Sequence, residues 1–592
     1  MDFKAKLKRK ENSIWALLFT AILWVVLAIC FDFYYDLNDD MLIKDIVAGI
    51  YSGTPSGFNM QMHYPLSFFI SLLYRICGSI PWYGIYILAA QFGCIFLITE
   101  RLLTFFEKRI SKMFALLCEA GMIVLLCSWE LIFTQYTVTS ALLAATAAFR
   151  MYTGGGAEDV KPFLKKNIGN VLLVLLAFLT RSEMLLLMLP FICVAGVCKW
   201  AEEKPIFTKK NTIKYFSLFG MILAGLLLCQ GLHMLAYSDS DWKEFNRFFD
   251  ARTEFYDFHK IPPYAENEEF YQSIGLDEND WHLMVEWYNF GIDDSFDADK
   301  MEKLAEYAKQ YDADRTDFKE TFKKAFVDYR YRTFYSTDYP YNMIVIAMYV
   351  LVLAAALCNK HYRFLWELAF SGTVRSVVWL YMQSRERMPE RITHSLYLME
   401  FLILLAFLLV ECTVIKKEKH RNFYRSFMMS VCSVLLLFIV WYGEKSIRAV
   451  LKEYERREDI NAEYTALLGY VRENPENYYF ADVFSTVKYS SKIMADTDNK
   501  ALNMDLMGGW FYKSPLTKVK LNHFGLTDME EALCENYHVL FVIKEDEEYV
   551  QNMTEWIQDY YKKKGRIVAL KKIDSIRAKE KEVFRIYQVI GE

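Results

Sequence analysis

Asp36, Asp39 and Asp40 crowd the start of "DLNDDMLIKDIVAGIYSG" (36–53), five residues beyond an uncharged run that ends at Phe31. A carboxylate so placed can take a proton from a hydroxyl group as a general base. It can equally cap a helix. Leu42, Ile43, Ile46, Val47 and Ile50 fall on one helical face, which puts Asp39 at the N-cap and Asp40 in the first turn, where the helix dipole favours negative charge. Basic groups that could answer these acids recur later. "LTRSEMLLLMLP" (179–190) breaks an apolar stretch with Arg181 and Glu183, and ionisable groups at such places are costly, kept for function or for pairing. "QSRERMPERITHS" (383–395) offers Arg385, Arg387 and Arg391. Their guanidinium forks suit phosphate or pyrophosphate, although Glu386 and Glu390 could equally neutralise them in a solvated turn. "MHYPLSFF" (62–69) adds His63 and Tyr64 just ahead of Pro65; both could touch a headgroup or substrate, and both could be structural. Carboxylates and arginines together suit group transfer from a phosphate to a hydroxyl: the carboxylate takes the proton and the arginines hold the departing charge.

Such groups act together only if the chain brings them to one side of something. With 54% hydrophobic and 17% aromatic residues in 592, that something is a bilayer. Ile14 to Phe31 is long enough to cross about 30 Å of hydrocarbon. Similar runs recur near 83–99, 113–128, 131–149, 168–180, 184–198, 215–236, 342–358, 364–381, 393–415 and 426–442. The expectation is a polytopic α-helical membrane protein of about 11 transmembrane helices. "KAKLKRK" before the first run resembles a signal-peptide start, but no small-residue cleavage site follows, so the first helix is expected to stay. Of the 12 cysteines only Cys534 falls in a soluble segment, so they are read as core packing rather than disulfides.

Lys and Arg alternate in number between the runs: five in 1–13, four in 100–112, four in 150–167, five in 199–214 and five in 416–425, against Lys44 alone in 32–65. The basic set is therefore expected in the cytoplasm. This holds if "PLSFFISLLYRICGSI" (65–80) is an interfacial or re-entrant helix rather than a span. Every sizeable soluble piece then faces outward, with the candidate acids and arginines. The expected parts are an N-terminal transmembrane region (1–236) with a functional first outer loop (32–82), an extracytoplasmic helical insert (237–341), a C-terminal transmembrane region (342–443) and an extracytoplasmic α/β domain (444–592). In the insert, Asp277 or Asn279 should cap a helix near Trp281, and Ser295 or Asp297 another near Asp299. In the tail, strands are expected at 478–484, 537–543, 566–571 and 583–590, with a helix near 546–563. "GGW" (508–510) reads as a simple turn.

The membrane part, 1–236 and 342–443, resembles the GT-C superfamily of membrane glycosyltransferases, which includes protein O-mannosyltransferases and aminoarabinose transferases. "NDDMLIKDIVAGIYSG" looks like that family's acidic pair and following amphipathic helix, and "HYPLSFFISLLYRICG" like its Pro-containing juxtamembrane helix. "FLTRSEMLLLMLPF" and "RMPERITHSLYLMEFLIL" look like its mid-chain basic segment and late outer turn. The pair here is Asp-Asp where Asp-Glu is common, and Met62-His63-Tyr64-Pro65 stands where some members have Lys-Pro-Pro. The resemblance implies an inverting transferase of the cell (plasma) membrane. It would take a sugar from a polyprenyl-phosphate donor and pass it to a cell-surface glycan, lipid or protein at the outer face; nucleic acid is not among the expected partners. Asp39 or Asp40 would be the catalytic carboxylate, with Asp40 preferred as the one facing substrate. Arg181, Arg385, Arg387, Arg391, His63 and Tyr64 would bind the lipid phosphate. Metal use is open: some relatives hold a divalent ion, and Mg or Mn would fall to Asp39 and Asp40. A transporter or lipid flippase, or a non-catalytic surface-binding protein, are the alternatives; Glu119 and Glu367 within runs favour the first, but no repeated halves accompany them.

Overall fold

The computed structural model describes residues 3–286, 288–315, 317–335, 338–358, 360–415, 421–495 and 503–591, with side chains described outside 3–6, 335, 412–415 and 421–433. The first five residues of the basic segment expected at 416–425 thus lie outside the described part. The chain is mostly helical. Seven helical segments among the described residues are long and apolar enough to cross a membrane: Leu7–Cys30, Trp82–Leu103, Val160–Thr180, Ser182–Ala201, Lys209–Ala236, Tyr341–Cys358 and Glu390–Glu411. The other expected runs are also helical, at Arg109–Leu126, Tyr136–Thr153, Arg363–Ser384 and within Arg421–Glu473. The first and third of these carry charges that dilute their hydropathy, among them Glu119, Glu367 and Arg375.

Tyr136–Thr153 is the centre of the bundle. Every residue from Tyr136 to Phe149 is buried. Its Ala, Ser and Thr side chains let neighbouring backbones approach closely, and it packs against Val160–Thr180, Ser182–Ala201 and Glu390–Ile415. At the rim, Leu17, Ile22, Leu227 and Leu228 are exposed, an apolar surface that hydrocarbon would cover and water would penalise. Tyr64–Ile76 is a separate helix of 13 residues, too short to span about 30 Å at 1.5 Å per residue.

Residues 237–341 form the expected run of helices, and two of its caps match expectation. Asp277 and Asp280 make a reciprocal capping box at Glu278–Val285, and Asp297 Oδ1 accepts from Lys300 N at 2.8 Å at the head of Ala298–Arg315. The insert shares one core with Ile46 and Tyr51 of the first loop and with Phe511 of the tail.

The tail holds a five-stranded sheet in the order Met504–Leu506, Tyr478–Ala481, Val539–Lys544, Lys581–Gly591, Val568–Ala578. The first three are parallel and the last two antiparallel. The expected strands and the helix Glu547–Lys563 are present; Met504–Leu506 is an addition, too short to show a period in sequence. The boundary expected at 443/444 is not a chain break. Helix Arg421–Glu473 runs through it for 53 residues: Gly443 falls at the junction but stays helical, and "EKSIRAVLKEYERRED" beyond it holds no Gly or Pro to stop the helix.

Candidate active site

The first loop is pinned at both ends of its acidic run. Tyr34–Tyr35 pairs in parallel with Phe133–Thr134, and Asp36 N donates to Thr134 O at 2.8 Å. Asp36 itself is absorbed structurally: Arg457, from the long helix, donates to its Oδ1 at 2.6 Å and to the carbonyls of Tyr35 and Asp36 at 3.1 Å each. The guanidinium also lies 4.3 Å from the centre of the Phe133 ring.

Helix Asn38–Ala48 follows, and here two expectations need correction. Its N-cap is Leu37, with no side-chain cap hydrogen bond, so Asp39 does not cap it. Asp40, preferred from sequence as the substrate-facing acid, is fully buried. Its Oδ1 accepts from Tyr83 Oη at 2.6 Å and from Tyr136 N at 3.1 Å. The physical reason is the helical turn of about 100° per residue. With Ile43, Ile46 and Val47 buried, position 40 shares their inward face and position 39 looks away. Asp40 therefore locks the loop helix to the helices beginning at Trp82 and Tyr136.

Burial raises the Asp40 carboxyl well above the usual carboxylate range, against the opposing hydrogen bond from Tyr83, and the neighbouring charge of Asp39 adds to the rise. Its Oδ2 is buried and has no hydrogen-bond partner among the described residues, a position that costs a neutral oxygen less than a charged one. Such a group holds its proton more tightly in the folded chain. Its contribution to stability is full below the unfolded pKa of about 3.9 and is lost as pH rises through the folded value. Asp40→Asn copies the protonated form. Thermal unfolding should therefore show a variant whose melting temperature declines less than that of the wild type as pH climbs. Asp40→Ala should instead cost about 1–3 kcal/mol at any pH, because the Tyr83 hydroxyl and the Tyr136 N–H lose their acceptor.

Asp39 is half-buried and faces the groups that could do chemistry. Trp510 Nε1 donates to its Oδ1 at 3.1 Å, and Oδ2 has no protein donor among the described residues. Arg181 and Arg252 are both close enough for the charge of Asp39 to act on them. Arg181 occupies the turn between Val160–Thr180 and Ser182–Ala201. It pairs with the exposed Glu183 at 3.0 Å, donates to Gln61 Oε1 and stacks 5.3 Å from the Tyr136 ring centre. Tyr136 Oη donates to the same Gln61 oxygen at 3.1 Å, so Gln61 fixes both.

Arg252, near the end of Ser240–Thr253, was not singled out from sequence; nothing in "FDARTEFYDF" marks it by spacing. Among the described residues its Nε is buried without a hydrogen-bond partner and no carboxylate lies within ion-pair distance, and its guanidinium lies 4.9 Å from the Tyr256 ring centre. Burial lowers its pKa, opposed by Tyr256, Asp257 and Asp39. A half-buried guanidinium with an unpartnered Nε among the described residues is suited to receive an anion.

The late arginines divide. Arg391 has no carboxylate partner among the described residues, and its charge acts on Asp36 and Tyr136. Arg387 is neutralised by Asp257 at 3.0 Å, in the π-helical turn Glu254–Phe258 that follows Arg252. Arg385 is exposed and lies 5.8 Å from the Phe258 ring centre. Asp257 also acts on Arg181 and Arg252, so this turn links the late loop to the site. Behind Asp36, Glu130 Oε1 accepts from His394 Nδ1 at 2.9 Å and Tyr341 Oη at 3.0 Å.

His63 and Tyr64 are tied into the scaffold. His63 is buried and its Nε2 bonds Gln230 at 2.9 Å, while Tyr64 N donates to His233 Nδ1 at 3.1 Å and the Tyr64 ring packs on Phe58 and Phe68. They fasten the short helix to Lys209–Ala236. At the acidic pair Asp39 and Asp40 diverge, with Asp40 bonded to Tyr83 and Tyr136, and no group of three His, Cys, Asp or Glu suited to an ion is found among the described residues.

No protein-family model matches the chain, and no curated protein or solved structure matches it either.

Proposed function

We propose that the protein is an integral membrane glycosyltransferase of the GT-C type, transferring a sugar from a polyprenyl-phosphate donor to a cell-surface glycan, lipid or protein at the outer face of the plasma membrane. Eleven spans are proposed: the seven apolar helices together with Arg109–Leu126, Tyr136–Thr153, Arg363–Ser384 and the first part of Arg421–Glu473. The N-terminus is then cytoplasmic, and the first loop, the insert and the tail are outside. One observation supports the reading: Asp39 has a carboxylate oxygen with no donor among the described residues, and its charge reaches Arg181 and Arg252, the latter without a carboxylate partner among the described residues.

In this mechanism Asp39 Oδ2 takes the proton of an acceptor hydroxyl as its oxygen bonds to the anomeric carbon. The bond from that carbon to the phosphate oxygen breaks, and the electron pair leaves with the phosphate. Arg181, Arg252 and Arg391 bind the charge that develops there. Trp510 holds the base in register. The anomeric carbon is attacked from the side opposite the leaving group, so its configuration inverts.

The test is turnover by the full chain in nanodiscs, with a panel of radiolabelled polyprenyl-phosphate sugars and release of polyprenyl phosphate as the readout. Arg252→Gln is expected to lower kcat/KM by about 10- to 100-fold, the worth of hydrogen bonds to a charged group. If the wild-type protein neither binds nor cleaves any donor, the proposal fails. If Arg252→Gln turns over like the wild type, the phosphate is held elsewhere.

A further inference from the structure

At the other end of the same helices lies a cavity of about 410 Å³, within the size range of small-ligand sites. Tyr136, at the Asp39 end, and Arg150, at the cavity, lie on one helix and are separated by about 21 Å at 1.5 Å per residue. The two places are therefore distinct. The cavity is walled by Lys8, Arg9, Arg101, Arg150, Lys166 and Lys199, against a single carboxylate, Glu100. That carboxylate is engaged: Ser13 Oγ donates to its Oε1 at 2.6 Å and Arg150 lies 3.8 Å from its Oε2. Lys199 has Glu202 at 2.8 Å. Among the described residues, Lys8, Arg9, Arg101 and Lys166 have no carboxylate within ion-pair distance.

The six cations come from five helices. Some are tethered by neutral partners that fix position without cancelling charge: Arg101 Nε donates to Thr153 Oγ1 at 3.1 Å, Arg150 Nε to Asn170 Oδ1 at 3.3 Å and Lys166 Nζ to Gly156 O at 2.7 Å. The charge of Arg9 acts on Arg150, and that of Arg150 on Arg101. Like charges held together by neutral tethers around one cavity raise its potential, and an anion relieves it. Basic loops alone would account for cations spread over a surface. They do not account for four uncompensated cations converging on one concave site whose wall also includes the rings of Phe163 and Tyr215.

We propose that this cavity binds a phosphate-bearing ligand with at least two negative charges. The proposal does not depend on sugar transfer or on Asp39. The same chemistry could be an anionic lipid headgroup or a soluble pyrophosphate-type ligand, and two probes separate them. The full chain is placed in phosphatidylcholine nanodiscs and titrated with inorganic pyrophosphate by calorimetry. In parallel, phosphatidylglycerol is added to the discs and retained lipid is counted by native mass spectrometry. Saturable binding of either probe is expected, weakened about tenfold by Arg150→Gln and about fivefold by Lys166→Gln, whereas Lys165→Gln changes it by less than about twofold. Lys165 is the control because it is equally charged and exposed but does not line the cavity. Lys166 is also exposed, so its variant tests the site even where Arg150→Gln fails to fold. Binding of the lipid alone assigns the headgroup, and binding of pyrophosphate alone assigns the soluble ligand. Binding of neither probe, or equal weakening by the Lys165 and Lys166 variants, overturns the proposal.

Discussion

Asp39→Asn is expected to leave the protein folded and inserted while lowering sugar transfer by about 100- to 10,000-fold, the range that a positioned general base supplies. The substitution preserves shape. An asparagine oxygen still accepts from Trp510 Nε1, which lies 3.1 Å from the carboxylate oxygen in the wild-type protein. What is lost is an oxygen able to take a proton. Arg181, Arg252 and Arg391 are untouched, so the donor should bind with affinity unchanged or improved, since a negative charge leaves the neighbourhood of its phosphate. The loss should fall on kcat rather than KM, and the melting temperature should match that of the wild type. Asp40→Asn is the paired control. Its carboxyl is buried against Tyr83 and the Tyr136 N–H, so transfer should survive. Full activity of Asp39→Asn would remove it from the mechanism, and loss confined to Asp40→Asn would reverse the roles.

That pair shows how far the sequence could be read. The spacing of Leu42, Ile43, Ile46, Val47 and Ile50 announced the loop helix, and the structure has it at Asn38–Ala48. Which acid faces inward was also latent there, because position 40 stands three and seven residues before Ile43 and Val47, on their face. The capping assignment obscured this by starting the helix two residues late. Asp277 and Asp297 were legible because a cap is local chemistry. The tail strands were legible because their apolar residues cluster between turn signals. Arg252 and Trp510 were not. Trp510 bonds Asp39 from 471 residues away in sequence (510 − 39) and Arg252 feels its charge from 213 away (252 − 39), and no local pattern reports a proximity made by tertiary folding. His63, which the sequence left open between a site and a structural role, is bonded by Gln230 on a distant helix, a partner no local pattern shows. Glu119 and Glu367, the residues that a transporter reading would lean on, are held locally by Thr99 and by Tyr152 with Arg363.

Gly508→Ala is expected to cost about 1–3 kcal/mol of stability, as overpacking does, and to remove most transfer as well. A Cβ at Gly508 would fall 1.9 Å from the carbonyl oxygen of Tyr288 and 3.1 Å from Asn289 Cα. Neither can step aside as a side-chain tip could. Tyr288 already has a φ of 56°, a left-handed conformation uncommon for a bulky residue. It is held there by a backbone clasp, with Gly509 N on Tyr288 O at 3.3 Å and Gly291 N on Met507 O at 2.8 Å. The clasp joins the insert to the tail, and Trp510 emerges from it toward Asp39. "GGW" is thus a turn, as its sequence suggested, but one whose glycines let two backbones meet so that the next residue can reach the site. Trp510→Phe separates the two effects. It keeps the clasp and the ring but deletes the N–H, so transfer should fall while the melting temperature holds. Gly508→Ala should lower both, and should raise hydrogen exchange across 288–292, where the clasp releases the insert. If Gly508→Ala is as stable and as active as the wild type, the clasp does not position the base, and the Trp510 hydrogen bond is incidental to the site.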